Sequence, residues 1–251
     1  MLLCPRSIAD RIPPVRLLRS RRLPRVTLLS LLSLLLLSAA LPVAAQASCS
    51  SDGVPRPVAV LERFVNADCE TCWQDRATPA PRRGELAIDW VLPGGKGDDA
   101  ALAVAARPEA LERVQALERK PPLASDAVRL PLPAQPRAAR LRIAQGASVN
   151  DYIAVSVDLA PGRTPPRGGP FQLWLLLVES LPRGTEGSPV ARKLVRNVFT
   201  QSWDPAAVSF SETRAMQIHE GVRPSRLRVV ALLQDANGRL LDAAETRCDG
   251  R

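Results

Sequence analysis

The chain has 251 residues and a formal net charge of +9, with 46% hydrophobic and only 4% aromatic residues. Seven arginines (Arg6, Arg11, Arg16, Arg19, Arg21, Arg22 and Arg25) face the single acid Asp10 near the start, so the chain beyond residue 47 holds 27 basic and 24 acidic residues. That near balance, with no dense Lys/Arg cluster interleaved with aromatics, removes the motive for a nucleic-acid partner.

The first segment, residues 1–47, reads as a signal peptide. Its basic stretch leads into the uncharged run Val26–Leu41, then Pro42, then small residues ending Ala45-Gln46-Ala47, the small-x-small pattern of a cleavage site. Cleavage after Ala47 is preferred, with Ala45 as the rival. The other reading is an uncleaved anchor, because Val26–Ala47 carries no charge over 22 residues and is long enough to span a bilayer. Ser20-Arg21-Arg22 is an imperfect twin-arginine signal, interrupted by Pro24, and Gln46-Ala47-Ser48-Cys49 is an imperfect lipoprotein site. The expected location is the periplasm or the exterior, with membrane contact only through an uncleaved leader or a lipid anchor.

Loss of Cys4 with the leader leaves Cys49, Cys69, Cys72 and Cys248. An even count in an exported chain points to two disulfides, and the favoured pairing is Cys69–Cys72 with a structural Cys49–Cys248 tie. Val58–Val65 is apolar and β-branched enough for a buried strand, and it runs straight into the C-x-x-C. A proline-rich connector, Thr78–Arg83, precedes a second strand over Glu85–Leu92, which Gly94, Gly95 and Gly97 end. Asp99–Arg119 is predicted to be a helix, with Pro108 at a kink or restart. Five prolines between residues 121 and 136 mark a linker or extended crossing. Seven strands are then expected: Arg140–Gln145, Tyr152–Leu159, Phe171–Glu179, Lys193–Gln201, Val208–Ile218, Arg226–Gln234 and Leu240–Arg247. Asn237-Gly238 supplies the hairpin turn between the last two, and Ala160–Gly162 and Arg167–Pro170 supply others.

A cysteine delivered by a strand to a helix N-terminus gains thiolate character from the backbone N–H groups and the helix dipole, which suits disulfide exchange. Asp68, Glu70 and Asp75 act against it by disfavouring the thiolate. Zinc finds no second C-x-x-C, and the one histidine, His219, is distant in sequence. A Ser-His-acid set, a phosphate loop and paired catalytic carboxylates cannot be argued either, and no cofactor is expected. Trp90, Trp174 and Trp203 read as core anchors, and Trp73 as packing or the wall of a peptide-binding surface.

The segment Val58-Ala-Val-Leu-Glu-Arg-Phe-Val-Asn-Ala-Asp-Cys-Glu-Thr-Cys72 resembles the opening strand and motif of an uncharacterised family of secreted proteobacterial thioredoxin-like proteins that carry a C-terminal β-sandwich. Val195-Arg-Asn-Val-Phe199 and Val229-Val-Ala-Leu-Leu-Gln-Asp-Ala-Asn-Gly238 are similar to the tail of that family. The resemblance implies an α+β chain: an abbreviated thioredoxin-like domain over 48–120, a linker over 121–138 and an antiparallel sandwich of about seven strands over 139–251. It also implies Cys69 as attacking thiol and Cys72 as resolving thiol. The stretch from Cys72 to Glu85 is too short and proline-rich for the long helix of that family, and Pro131 is the nearest candidate for its cis-proline. The expected function is therefore a non-enzymatic, disulfide-braced envelope protein with a degenerate thioredoxin-like domain, whose partner is another envelope protein. The alternative is a thiol-disulfide oxidoreductase, or a redox partner of one, using Cys69 and Cys72.

Overall fold

The computed structural model describes residues 49–135, 139–161, 170–204 and 209–248. The leader over 1–47, the glycines of the turn at 167–169 and Val208 at the start of one expected strand lie outside them. The described chain forms twelve strands: β1 (Cys49–Ser50), β2 (Ala59–Asn66), β3 (Glu85–Leu92), β4 (Ser125–Pro131), β5 (Ala139–Val149), β6 (Tyr152–Pro161), β7 (Phe171–Leu181), β8 (Arg192–Trp203), β9 (Phe210–Gln217), β10 (Leu227–Gln234), β11 (Leu240–Glu245) and β12 (Arg247–Cys248). They build a five-stranded sheet in the order β12-β1-β5-β6-β9 and a seven-stranded sheet in the order β11-β10-β7-β8-β3-β2-β4.

This overturns the expected α+β architecture with a thioredoxin-like domain preceding a separate sandwich. The strands of the first half, β2, β3 and β4, extend the same sheet as β7, β8, β10 and β11. The junction is parallel, with Asp89 of β3 opposite Leu194 of β8, and β3 in turn runs parallel to β2 along its whole length. Ser125–Pro131, inside the proline-rich stretch, is an edge strand paired antiparallel with β2; Pro131 is tolerated there because an edge position spares it a donor role in the ladder.

The predicted helix over Asp99–Arg119 is also corrected. One α-helix of eight residues forms among the described residues, α1 (Glu109–Ala116), preceded by 3-10 turns at Gly97–Asp99 and Ala103–Ala105. The backbone is claimed elsewhere: Leu102 N–H donates to the Ala67 carbonyl and Arg107 N–H to the Val91 carbonyl. Pro108 then supplies helical φ without needing an N–H, and the helix restarts behind it.

Alternation along the strands sorts side chains into layers. Phe171, Leu173, Leu175 and Leu177 of β7, with Val229, Ala231 and Leu233 of β10, pack against Ile143 of β5 and Ile153, Val155, Val157 and Leu159 of β6 from the five-stranded sheet. On the opposite face of the large sheet, Trp174, Leu176, Val230 and Leu232 join Val60, Phe64, Ile88, Trp90 and Leu92 beneath Ala110 and Val114 of α1. A smaller layer of Ala67, Trp73, Val91, Leu181 and Leu194 lies around the C-x-x-C turn. β2 and β3 are thus covered on both faces, as parallel strands commonly are. The Asn-Gly hairpin joins β10 to β11 with Gly238 at φ +76°, and a Cβ there would stand 2.9 Å from the Ala116 carbonyl at the end of α1.

Cys49 and Cys248 are disulfide-bonded at a Cα separation of 4.0 Å across the β1–β12 pair. The bond closes 199 residues of sequence separation, which limits the unfolded ensemble. A Cys49→Ser/Cys248→Ser variant should lose about 2–4 kcal/mol of stability in a urea titration; an unchanged midpoint would show that packing alone holds the two ends together.

Candidate functional site

The parallel strands β2 and β3 end side by side at Asn66 and Leu92, and the segments that follow them gather there. In open sheets, the carboxyl ends of parallel strands are where ligand sites are commonly built. Asn66 pairs its N–H with the Ala124 carbonyl, and its own carbonyl accepts from Cys69 N at 3.0 Å, turning the chain out of the strand. Cys72 N–H then bonds the Cys69 carbonyl at 3.2 Å, opening a single 3-10 turn over Glu70–Gln74. Cys69 and Cys72 are disulfide-bonded across this turn, with Cα atoms 5.4 Å apart.

The stretch behind the motif, too short and proline-rich for a long helix, forms this single 3-10 turn, so no α-helix N-terminus lends its dipole to a thiolate. Pro131 is corrected as well. It pairs with Ala59 at the opposite end of β2 from the cysteines, and no cis peptide bond occurs among the described residues.

The two sulfurs are unequally placed: Cys72 is 8% exposed, whereas Cys69 is half-buried at the rim. Asp68, counted against a thiolate in the sequence, turns its carboxylate onto the amides of Gly95 (2.7 Å) and Lys96 (3.1 Å). Gly94 is required for that approach, since a Cβ at this position would lie 2.1 Å from an Asp68 carboxylate oxygen. Asp75 accepts from the Ala77 amide at 2.8 Å, and Glu70 is exposed.

Beneath the turn lies a charged cluster that sequence reasoning missed. Arg63 of β2, Asp89 of β3 and Arg192 at the start of β8 are each 2% exposed or less. Asp89 accepts from Arg63 Nη2 at 2.7 Å and from Arg192 Nη1 at 3.0 Å, and also from the Lys193 amide. Arg192 reaches the motif directly: its Nη2 donates to the Trp73 carbonyl at 2.8 Å, and its guanidinium lies 4.5 Å from the centre of the Trp73 ring. Trp73 Nε1 donates to the Thr185 carbonyl. Burial lowers the pKa of Arg192, while Asp89 opposes that shift by favouring the charged form. Arg63 donates to the carbonyls of Pro79 and Ala191, but its buried Nε–H has no partner.

A cleft of about 280 Å³ opens here, lined by Arg63, Val65, Cys72, Asp75, the stretch 77–79, Ser125, Asp126, Ala127 and Arg192. It brings Cys72 of the motif and Arg63 and Arg192 of the charged cluster to one lining.

The other residues named from sequence do not join this site. Trp90 is fully buried on the opposite face of β3 and donates to Glu62; Trp174 and Trp203 are buried in the core. His219 is half-buried after β9, where burial first and then the charge of Arg107 lower its pKa. No group of three or more His, Cys, Asp or Glu is placed to hold a metal among the described residues. No helix there is long and apolar enough to cross a membrane.

The chain defines a β-rich class of protein, two packed sheets braced by a terminal disulfide, with a second disulfide at the parallel strand ends. No family model matches it, and no curated protein does. Among solved structures it is similar to HBP35 of Porphyromonas gingivalis, with a TM-score of 0.50 and 13% identity over 77% of this chain and 76% of that one. At this identity the likeness concerns the fold alone.

Proposed function

We propose that this protein acts in an extracytoplasmic compartment and exchanges disulfides with a partner protein through Cys69 and Cys72. The observation that carries the reading is the asymmetry of the pair. A half-exposed Cys69 can be approached by a partner sulfur, while Cys72 sits behind it in the wall of a cleft, placed to leave or to resolve. The cluster of Arg63, Arg192 and Asp89 beneath the turn holds two cations to one anion and touches the turn through the Trp73 carbonyl, and positive charge favours a thiolate. The Asp68 carboxylate, engaged with two amides, opposes a thiolate less than the sequence implies.

A second reading, in which both disulfides only brace a binding module, draws on the exposed apolar side chains Val104 (82% exposed) and Leu123 (94%) near these strand ends. The reduction potential of Cys69–Cys72 separates the two. Alkylation and mass spectrometry across a glutathione series should give a value above about −250 mV, with Cys49–Cys248 still closed. A value below roughly −300 mV, or no reduction before unfolding, would leave the brace alone.

A further inference from the structure

We propose that Arg107, Arg196 and His219 form a binding site for a small tetrahedral oxyanion of the sulfate or phosphate type, which the site takes up together with a proton on His219. Three separate segments bring these residues together. Arg107, just ahead of α1, ties its N–H to the Val91 carbonyl at 2.9 Å. Val91 lies two residues beyond Asp89 and Arg196 two beyond Leu194, and Asp89 pairs with Leu194 in the parallel junction, so Val91 and Arg196 stand level where β3 ends. Arg196 is the extra residue of a bulge, since Val195 pairs with Val178 and Asn197 with Leu177, and a bulge re-aims the side chain it carries. His219 arrives from β9. The Gln217 carbonyl accepts from Asn197 Nδ2 at 2.9 Å, and the loop behind His219 is held by the Arg223 amide on Glu179, the carboxylate that also holds Arg196.

Charge and open donors select the ligand. Arg196 gives Nε and Nη2 to Glu179 at 2.9 and 2.7 Å, and its charge is matched there. Arg107 is half-buried and unmatched. Its side chain makes one long bond, from Nη2 to the Val104 carbonyl at 3.4 Å, and no carboxylate lies within ion-pair distance of it among the described residues. The Arg107 Nε–H is sealed from solvent and takes no part. By contrast, Nη1 of Arg107, Nη1 of Arg196 and the ring nitrogens of His219 lack a partner among the described residues without being sealed. Charged donors arriving from three segments suit an anion with oxygens in several directions better than a planar carboxylate.

The accompanying proton follows from the charges that face His219. Arg107 and Glu109 reach it from the start of α1 and Arg196 from β8, with Glu179 of β7 behind Arg196, while Glu220 beside it is exposed. Burial first, and then the charge of Arg107, disfavour the imidazolium; Glu109 favours it, and Arg196 disfavours it again. A bound anion offsets both arginines. It therefore stabilises the imidazolium, and the imidazolium in turn strengthens the hold on the anion by the same factor.

The chain contains one histidine, so a single imidazole resonance in a proton NMR titration of the purified protein reports the site. The probe is sodium sulfate, whose charge stays constant through the titration, set against sodium chloride at equal ionic strength. Sulfate should raise the titration midpoint of His219 and bind about tenfold more tightly below that midpoint than above it. Two variants should move in opposite directions, which a folding defect does not do. Arg107→Gln keeps the backbone bond to Val91; it should raise the midpoint in chloride and abolish the effect of sulfate. Glu109→Gln should lower the midpoint in chloride and strengthen sulfate binding. Identical midpoints in the two salts would overturn the site, as would a sulfate effect that persists undiminished in Arg107→Gln.

Discussion

Arg113→Met is expected to lower the free energy of unfolding by about 3–5 kcal/mol, because it strands a buried carboxylate. Arg113 of α1 and Glu62 of β2 are both fully buried. Arg113 Nε donates to Glu62 at 2.9 Å and Nη1 to Gln234 of β10 at 2.6 Å, with the guanidinium 5.1 Å from the centre of the Trp174 ring. Trp90 Nε1 donates to the same Glu62 at 2.9 Å. The pair thus joins α1 to four strands, β2, β3, β7 and β10, through the layer that covers the large sheet. Methionine fills much of the volume and keeps helix propensity, so the loss reads the charge rather than the space. Urea titration of Arg113→Met and of Glu62→Leu/Arg113→Met separates the effects. Replacing both members of a buried pair with apolar side chains is often neutral, and the double variant should recover most of the loss. A single variant within about 1 kcal/mol of the parent would show that Glu62 finds another partner or a proton.

Asp89→Asn should cost a comparable amount, about 3–5 kcal/mol, by leaving Arg63 and Arg192 buried together without a counter-ion. The asparagine carbonyl can still accept the Lys193 amide, so the backbone junction of β3 and β8 keeps its bond and the charge is what changes. A second readout follows from the contact between Arg192 and the Trp73 carbonyl. With Arg192 no longer held by Asp89, the turn over Glu70–Gln74 loosens, and Cys69–Cys72 should be reduced faster by dithiothreitol at urea concentrations well below the unfolding midpoint. If stability falls while the reduction rate stays constant, the cluster braces the sheet and does not govern the disulfide.

The sequence makes some of this architecture legible and conceals the rest, and the division follows the range of the interactions. Glu85–Leu92 reads as a strand and is one, because its composition is local information. Asn237-Gly238 reads as a hairpin turn for the same reason, and the positive φ of Gly238 is what that turn needs. A parallel signal went unused at Asn150 and Asp151, where φ values of 47° and 60° form the tight turn between β5 and β6. Pairing of β3 with β8 is another matter. Residues 89 and 194 are brought together by burial on both faces, and nothing in either segment names the other. That omission is why the first half reads as a separate α+β domain. The helix over Asp99–Arg119 is over-read because propensity alone cannot show that the amides of Leu102 and Arg107 are needed at the ends of β2 and β3.

The charged cluster had a local signal that went unused. Glu62 and Arg63 are adjacent charges inside the apolar run Val58–Val65. If such a strand is buried on both faces, consecutive residues must send one charge into each layer, and each then needs a partner there. Glu62 finds Arg113 on one side and Arg63 finds Asp89 on the other. The cysteines were legible by count, while the cleft beside Cys72 depends on β4 reaching the edge of β2, which only the folded chain reveals.

The tie between β1 and β12 also decides how the molecule bears tension. A pull on the chain just outside Cys49 and Cys248 passes through one covalent bond, so the segments between them carry no load and the sheets are mechanically silent. Reduction of that bond places 199 residues of sequence separation in the line of force, a reserve of roughly 650 Å when fully drawn out at about 3.3 Å per residue. The redox state of one pair thus sets whether the protein behaves under strain as a short inextensible link or as a long compliant one.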